Sequence, residues 1–264
     1  MRPIAELSAS LPARPLAVFT DIDDTLTSGG RLSAAVYAAL ERLQAAGVRV
    51  VPVTGRPAGW CDMIARFWPV DGVIGENGAF YFRYDRDARR MIRRYAVSAD
   101  ARARDRQTLH ALGQRIIAAV PGCAVAADQA YRESDLAIDF AEDVGPLPQA
   151  DIDAIVAAFV AAGATAKVSS IHVNGWFGTY DKAGMTQRFA REVLHWDLDR
   201  DNERFLFVGD SPNDAPLFAF FRNACGVGNV LDYGDRMPHY PRFVAHAHGG
   251  AGFLEIVDEI LKAR

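Results

Sequence analysis

One segment constrains the fold of this chain more than any other. An apolar run, Leu16 to Phe19, ends in a tight cluster of carboxylates formed by Asp21, Asp23 and Asp24. A short, uninterrupted apolar run is typical of a strand buried on both faces of a parallel sheet. Ligands bind at the carboxyl ends of such strands, and crowded carboxylates are costly unless a cation or hydrogen bonds offset their charge. The segment therefore predicts a cation site, most simply for Mg²⁺, at a strand end.

Composition excludes several classes of protein. The 264 residues are half hydrophobic, enough for one large domain or two modest ones, and the net charge of -4 without a basic stripe argues against nucleic-acid binding. The three cysteines form no CxxC pair, which disfavours a zinc site or a disulfide framework and fits a reducing compartment. No signal-peptide pattern or membrane-length apolar run is present. We therefore expect a cytoplasmic monomer or homodimer that binds neither nucleic acid nor membranes.

The first part of the chain alternates between strand and helix patterns. The predicted elements are a strand at Leu16–Asp21, a helix at Ser33–Ala46, a strand at Val48–Val53, a helix at Pro57–Phe67 and a short strand at Gly72–Ile74. This βαβαβ order is typical of a right-handed, doubly wound parallel sheet. The fold class predicted for the core is therefore α/β and Rossmann-like.

The pattern changes between about residues 81 and 176 and then returns. The middle part is predicted to contain strands at Tyr95–Val97, Leu136–Phe140 and Val168–Val173 and helices at Ala103–Val120 and Gln149–Ala162. The last part is predicted to contain a helix at Met185–Leu194, a strand at Phe205–Val208 and a helix at Phe253–Lys262. Segregated strands and helices indicate an inserted α+β unit. We expect residues 1–82 and 177–264 to form the core and residues 83–176 an inserted domain.

Four motifs occur in order within the α/β parts, each after a predicted strand. They are Asp21-x-Asp23-x-Thr25, Thr54-Gly55-Arg56, Lys182 and Gly209-Asp210-Ser211-Pro212-Asn213-Asp214. In order and context they resemble the haloacid dehalogenase-like (HAD) superfamily of phosphohydrolases. The inserted unit resembles the type IIB cap of Cof-like phosphatases, sugar phosphatases, mannosyl-3-phosphoglycerate phosphatases and phosphomannomutases. The resemblance covers nearly the whole chain and implies a phosphatase core with a substrate-selecting cap.

The residue chemistry agrees with that resemblance. Phosphoryl transfer requires an in-line nucleophile, neutralisation of the phosphoryl charge and a proton for the leaving group. Asp21 is placed to be a carboxylate nucleophile that forms an aspartyl-phosphate. Asp23, two residues further along an extended backbone, points the same way and fits a general acid and then a base. Lys182 would supply positive charge to the nucleophile and the phosphate.

The remaining motif residues are expected to hold phosphate and metal. Thr54 offers a hydroxyl and Gly55 a backbone N–H to the phosphoryl oxygens, whereas Arg56 is either a substrate contact or a salt-bridged arginine at a helix start. Asp210 is the natural carboxylate ligand of Mg²⁺ beside Asp21. Asp214 either binds the metal or holds Lys182. The resemblance implies that the backbone carbonyl at Asp23 also binds the metal.

Substrate selection is expected to depend on residues in and before the cap. Arg132 belongs to a charged cluster with Glu133 and Asp135, and His172 and Asn174 alternate along one predicted strand face. Asn77, in the stretch Glu76–Ala79, resembles a pre-cap substrate contact of the superfamily. We therefore predict that Asn77, Arg132, His172 and Asn174 contact the substrate.

The predicted function is Mg²⁺-dependent hydrolysis of a small phosphorylated metabolite, such as a sugar phosphate or a mannosyl-3-phosphoglycerate-like compound. A phosphomutase of the phosphomannomutase type is an alternative, because it uses the same nucleophile and cap type. A phospho-accepting signalling module is an alternative from another class, since receiver domains also combine an aspartate, a threonine and a lysine. Receiver domains lack an inserted cap and the second acidic residue of the Asp21-x-Asp23 motif.

Overall fold

A computed structural model describes residues 1–263 of the chain. Its strands are β1 (Arg2–Pro3), β2 (Ala17–Thr20), β3 (Thr27–Ser28), β4 (Arg31–Leu32), β5 (Arg49–Pro52), β6 (Val73–Gly75), β7 (Phe80–Asp85), β8 (Arg90–Tyr95), β9 (Ala124–Val125), β10 (Leu136–Asp139), β11 (Thr165–Val168), β12 (His172–Trp176), β13 (Phe205–Gly209), β14 (Asn223–Gly226) and β15 (Phe243–Val244). Its α-helices are α1 (Leu7–Ser10), α2 (Ala34–Ala45), α3 (Ala58–Phe67), α4 (Ala99–Ala119), α5 (Gln149–Ala161), α6 (Lys182–Phe189), α7 (Ala215–Phe220) and α8 (Gly249–Lys262).

The central sheet is parallel throughout and has the order β1-β15-β14-β13-β2-β5. The apolar strands β2 and β13 are completely buried, as expected for strands that are covered on both faces. Helices α2 and α8 pack on one face with α3, and α6 and α7 pack on the other. Thr20, the last residue of β2, pairs with Val208 of β13 and with Pro52 of β5. The segments that follow these three strands therefore emerge side by side.

The third predicted strand is present as β6, but it does not pair along its length with the central sheet. Strand β6 touches the end of β5 through a single parallel bridge, Val53 to Ile74. It then pairs with β7, which pairs with β8, in a three-stranded antiparallel sheet. Phe80 and Phe82 of β7 are buried in the core beneath α3. The predicted cap boundary at residue 83 falls within β7.

The inserted cap is a four-stranded antiparallel sheet with two helices on one face. Its strand order is β11-β12-β10-β9, and α4 and α5 cover it through an apolar cluster that includes Leu112, Ile116 and Phe159. A Cβ atom on Gly175 would lie 2.1 Å from Phe159, so Gly175 faces the helices. The alternating neighbours His172 and Asn174 therefore face the opposite way, toward the core. The α/β core with an inserted α+β unit is confirmed.

Three segments differ from the sequence-based prediction. The strand predicted at Tyr95–Val97 is irregular beyond Tyr95, which is the last residue of β8. The single strand predicted at Val168–Val173 is instead the turn between β11 and β12, because the Oγ atom of Ser169 accepts a hydrogen bond from the backbone N–H of His172 at 2.9 Å. The helix predicted at Met185–Leu194 begins earlier, at Lys182, and ends in a π-helical turn over Ala190–Leu194. In residues 1–263 no helix has both the length and the apolarity that crossing a membrane requires.

Candidate active site

Three buried carboxylates meet where β2 and β13 end. Asp21 follows β2, Asp210 follows β13, and Asp214 lies in the short turn after β13. Each offers an oxygen, and these three oxygens all lie within 4.8 Å of one another. The adjacency arises from the parallel register of β2 and β13, because the backbone N–H of Asp21 continues the ladder by donating to Val208 at 2.9 Å. The structure thus brings together three of the predicted metal-site residues.

Lys182 lies among these carboxylates and is itself buried. It begins α6, where the Asp181 side chain caps the helix by accepting a hydrogen bond from the backbone N–H of Gly184 at 2.7 Å. Its Nζ atom lies 2.8 Å from Oδ1 of Asp21 and 2.9 Å from Oδ1 of Asp214. Burial opposes the charge on Lys182, but the two carboxylates outweigh that effect and raise its pKa. Lys182 is therefore a fixed positive charge beside the candidate nucleophile.

The single positive charge of Lys182 does not balance the negative charges of the three buried carboxylates. Burial, together with repulsion from Asp214 and Asp23, raises the pKa of Asp21 to about 8 although Lys182 acts in the opposite direction. Burial and the neighbouring Asp214 and Asp21 raise the pKa of Asp210 well above its usual range. Such a shift shows that the ionised carboxylates are under-compensated by the protein alone. The all-oxygen donor set fits a hard divalent cation such as Mg²⁺.

Asp214 differs from the other two carboxylates in how its oxygens are used. One oxygen accepts from Lys182, and the other accepts from the backbone N–H of Asp210 at 3.1 Å. Asp210 accepts a 3.2 Å hydrogen bond from the Thr25 hydroxyl on one oxygen. Asp214 therefore holds Lys182 and the Asp210 loop in place. Asp21 and Asp210 each retain an oxygen that accepts no hydrogen bond from residues 1–263.

Asp23 is paired with Arg56 across the mouth of the site. The Arg56 guanidinium donates to both Asp23 oxygens, with Nη2 2.9 Å from Oδ1 and Nε 3.0 Å from Oδ2. The same guanidinium donates to Glu142 of the cap at 2.7 Å and stacks on the Trp60 ring. Burial opposes the charge of Arg56, but its acidic partners raise its pKa. Arg56 is thus a salt-bridged residue at the start of α3 that also lines the site.

The second motif, Thr54-Gly55-Arg56, places a hydroxyl group and a glycine close to the cap. The Thr54 hydroxyl is buried and accepts a hydrogen bond from the backbone N–H of Arg56 at 3.0 Å. A Cβ atom on Gly55 would lie 3.3 Å from the Asn77 amide and 3.7 Å from Oδ1 of Asn174. Asn77 has a φ of 55°, and its buried Nδ2 has no hydrogen-bond partner within residues 1–263. The structure therefore brings Asn77 and Asn174 together at Gly55.

Arg132 lies in the same region, but its donors are already engaged. It donates to Asp128 at 3.0 Å and to Asp135 at 3.0 Å, and it also donates to the backbone carbonyl of Gly55 at 2.9 Å. Asn174 donates to Asp135 at 3.0 Å. Arg132 therefore joins the cap to the second motif of the core.

Glu76 is a further residue of this region that was not among the predicted site residues. Its buried carboxylate accepts hydrogen bonds from four backbone N–H groups, those of Ala58, Glu133, Ser134 and Asp135. Burial, with the neighbouring Asp135, raises the pKa of Glu76 to about 8. Because Ala58 belongs to the core and the other donors belong to the cap, Glu76 connects the two. The sequence signal that could have identified Glu76 is its position directly before Asn77 and Gly78.

The cap closes the cavity above Asp21. The turn over Ser169–Ile171 and the side chains of His172 and Asn174 form the roof, and Asp21, Gly55 and Asp210 form the floor. The space between roof and floor is narrow, with about 20 Å³ free for a water molecule, and it is partly open to solvent. The Nε2 atom of His172 lies 3.0 Å from Glu142 without hydrogen-bond geometry. Cap residues therefore lie directly over the floor of the site.

Comparisons with known proteins agree with this geometry. Residues 18–119 match the family of haloacid dehalogenase-like hydrolases. A phosphoglycolate phosphatase from Haloarcula marismortui is 28% identical over 249 residues, which cover 92% of this chain and 95% of that protein.

Solved structures share the fold over nearly the whole chain. The protein 0175 of Thermoplasma acidophilum superposes with a TM-score of 0.70 at 18% identity, covering 93% of this chain and 98% of that one. A sugar phosphatase described as HAD subclass IIB superposes with a TM-score of 0.61 at 15% identity, covering 93% and 97%. With Asp21, Thr54 and Asp210 gathered where β2, β5 and β13 end, the chain is similar to the haloacid dehalogenase-like hydrolases in sequence over residues 18–119, and it shares its fold with solved structures over nearly its whole length.

Proposed function

We propose that this enzyme is a Mg²⁺-dependent phosphatase that hydrolyses the monoester of a small phosphorylated metabolite through an aspartyl-phosphate on Asp21. One observation carries the proposal: the Asp21 carboxylate lies 2.8 Å from the Lys182 ammonium, at the floor of a capped cavity that Asp210 also lines. A carboxylate nucleophile needs such a positive neighbour to approach a phosphate dianion. The predicted sugar phosphates and mannosyl-3-phosphoglycerate-like compounds are members of this substrate class.

Asp21 and Asp210 would hold the metal, together with the backbone carbonyl of Asp23. Bound there, Mg²⁺ would neutralise the crowded carboxylates and the phosphoryl oxygens. Asp21 attacks phosphorus while Lys182 balances its charge. The Thr54 hydroxyl and the Gly55 backbone bind the phosphoryl oxygens. Asp23 gives a proton to the leaving oxygen and later takes one from the water that hydrolyses the phosphoenzyme.

The narrow space beneath the cap supports a small leaving group. Closure by Arg132, Glu76 and the Ser169–Ile171 turn leaves little free volume beside Asp21. Exclusion of bulk water strengthens the interactions of the charged groups within such a site. The match to a phosphoglycolate phosphatase and the fold shared with a sugar phosphatase also favour a phosphomonoester substrate.

The test compares Asp21→Asn with the matched variant Asp24→Asn. Asp24 has a φ of 56°, a conformation that asparagine also tolerates, and its carboxylate lies outside the proposed machinery. Phosphate release from a panel of phosphorylated sugars, glycerates and glycolate should require Mg²⁺, vanish in Asp21→Asn and persist in Asp24→Asn. Turnover by Asp21→Asn, or isomerisation of the substrate without release of phosphate, would contradict the proposal.

A further inference from the structure

The carboxylate of Glu142, in the cap, contacts two basic side chains that line the candidate active site, Arg56 and His172. Oε1 of Glu142 lies 2.7 Å from Nη2 of Arg56, and Oε2 lies 3.0 Å from Nε2 of His172. Both Arg56 and His172 line the cavity that contains Asp21, whereas Glu142 does not. Oε2 also accepts a 3.3 Å hydrogen bond from Nη1 of Arg56, so Arg56 contacts both oxygens of the carboxylate and His172 contacts one of them.

Burial distinguishes the carboxylate from its two partners. The side chains of Arg56 and His172 are 6% and 3% exposed, whereas that of Glu142 is 29% exposed. Glu142 lies in the irregular loop after β10, where Asp139 accepts hydrogen bonds from the backbone N–H groups of Ala141, Glu142 and Asp143. Arg56 and His172 are therefore fixed in the site, and the Glu142 side chain reaches them from the solvent side.

An anion is the group that best replaces Glu142. The Arg56 guanidinium is buried and also pairs with Asp23 at 2.9 Å and with Asp128 at 3.5 Å, but without Glu142 its Nη1 and Nη2 donors would lose a charged acceptor. The Nε2 atom of His172 is buried and lacks a hydrogen bond of good geometry even with Glu142 in place. Neutral hydroxyl groups would accept weaker hydrogen bonds from Arg56, whereas a second carboxylate would restore the charged contacts with both Arg56 and His172.

The geometry also limits how far this anion lies from the phosphoryl group. The Nη2 atom of Arg56 donates both to Glu142 at 2.7 Å and to Asp23 at 2.9 Å. Asp23 is the proposed proton donor to the leaving oxygen. An anion that binds Arg56 in place of Glu142 would therefore share a guanidinium nitrogen with the proposed proton donor, which favours a short leaving group.

We propose that Arg56 and His172 form a binding site for a carboxylate on the leaving group of the substrate, and that Glu142 occupies this site until the substrate displaces it. The substrate class is the phosphate ester of a small 2-hydroxy acid. This inference rests on the proposed phosphatase function, which it makes more specific. Glu142 is then a specificity-determining residue, because it competes with the substrate carboxylate.

The first experiment compares 2-phosphoglycolate with its neutral amide in the Mg²⁺-loaded enzyme. The acid should have a kcat/KM at least about 10-fold higher, the lower end of what a charged hydrogen bond contributes. Glu142→Gln removes the competing charge and should raise the acid-to-amide ratio several-fold, mainly through KM. Asp143→Asn, a change of the neighbouring loop carboxylate, should leave the ratio unchanged. Equal turnover of acid and amide, or a ratio that does not rise in Glu142→Gln, would overturn the proposal.

A binding measurement separates this inference from the phosphatase function. Thermal unfolding is followed with glycolate or glycolamide added to wild-type enzyme and to Glu142→Gln. Glycolate should raise the midpoint, more strongly in Glu142→Gln, and glycolamide should not. If no substrate releases phosphate but glycolate still binds selectively, the phosphatase function fails and the carboxylate site stands. If phosphate is released but glycolate and glycolamide act alike, the carboxylate site fails.

Discussion

The Nζ atom of Lys182 lies 2.8 Å from Oδ1 of Asp21, although 161 positions separate the two residues along the chain. The contact depends on two structural features: β2 ends at Thr20, and α6 begins at Lys182 directly after the cap. Asp214 fixes the ammonium from the other side at 2.9 Å. The inserted cap thus returns the chain to the core at the point where a positive charge is needed.

Replacing Lys182 by methionine should abolish phosphate release and destabilise the fold. The change leaves Asp21 and Asp214 as buried carboxylates without their cation, and breaking a buried pair in this way costs about 3–5 kcal/mol. Urea unfolding and phosphate release measure the two effects. Lys167→Met, at an exposed position of β11, is the matched control and should be nearly neutral in both assays. Normal turnover by Lys182→Met would contradict the assigned role.

Gly78→Ala should disrupt the same region through the backbone. Gly78 has a φ of +101°, and a Cβ atom there would lie 2.0 Å from the carbonyl oxygen of Asp181, directly before Lys182. We expect a loss of more than about 3 kcal/mol in the free energy of unfolding and a reduced kcat, because α6 must move. Gly47→Ala has a similar φ of +80° but open space around it, so it should cost only about 1–2 kcal/mol. Equal losses in the two variants would show that the close approach of Asp181 is unimportant.

Much of the core could be predicted from sequence because its signals are local. The apolar run before Asp21 specifies a doubly buried strand, and the order of strands and helices leaves few topologies. Motif residues that follow strands, such as Asp210, are then brought together by the parallel register alone. Lys182 was predicted from its place in the order of motifs, and in the structure it reaches Asp21 from the start of α6 and not from a strand end.

The connections between core and cap could not be predicted in this way. Glu142 reaches Arg56 from a loop 86 positions away, and Glu76 accepts backbone N–H groups from residues 57 to 59 positions later. Nothing in the local pattern specifies which loop of the cap meets which turn of the core. The sequence left two roles open for Arg56, and the structure shows a salt-bridged arginine that also lines the cavity.

Glu76→Gln should destabilise the enzyme more than an ordinary loss of one hydrogen bond. Each Glu76 oxygen accepts two backbone N–H groups, so the amide of glutamine would oppose two donors with its own. We expect a loss of about 2–3 kcal/mol, measured by urea unfolding, since buried donors are left unsatisfied. Glu255→Gln is the control, because Glu255 accepts only one backbone N–H on each oxygen at a less buried position. A smaller loss for Glu76→Gln than for this control would contradict the bridging role.

Asp210→Asn should have opposite effects with and without Mg²⁺. Without metal the substitution removes an under-compensated carboxylate, whose pKa burial and Asp214 raise well above its usual range, and we expect a higher unfolding temperature. With millimolar Mg²⁺ the wild-type enzyme should gain stability by mass action, and the variant should not. Thermal scans with and without a chelator test both effects. Asp235→Asn, at an exposed position, should behave as wild type; a retained Mg²⁺ response in Asp210→Asn would contradict the assigned metal site.

The contribution of Glu142 to stability should depend on pH. Contacts with His172 and Arg56 lower the pKa of Glu142 to about 2, against the opposing effect of burial. A carboxylate whose pKa is lower in the folded state stabilises the fold above its unfolded pKa of 4.5 and loses that contribution as pH falls toward 2. Wild-type enzyme should therefore be more stable than Glu142→Gln by about 1 kcal/mol at pH 7, a size limited by partial exposure, and the difference should shrink by pH 3. Urea unfolding at both pH values measures it, with Asp143→Asn as the control. A difference that stayed constant or grew at low pH would show that Glu142 acts through packing and not through its charge.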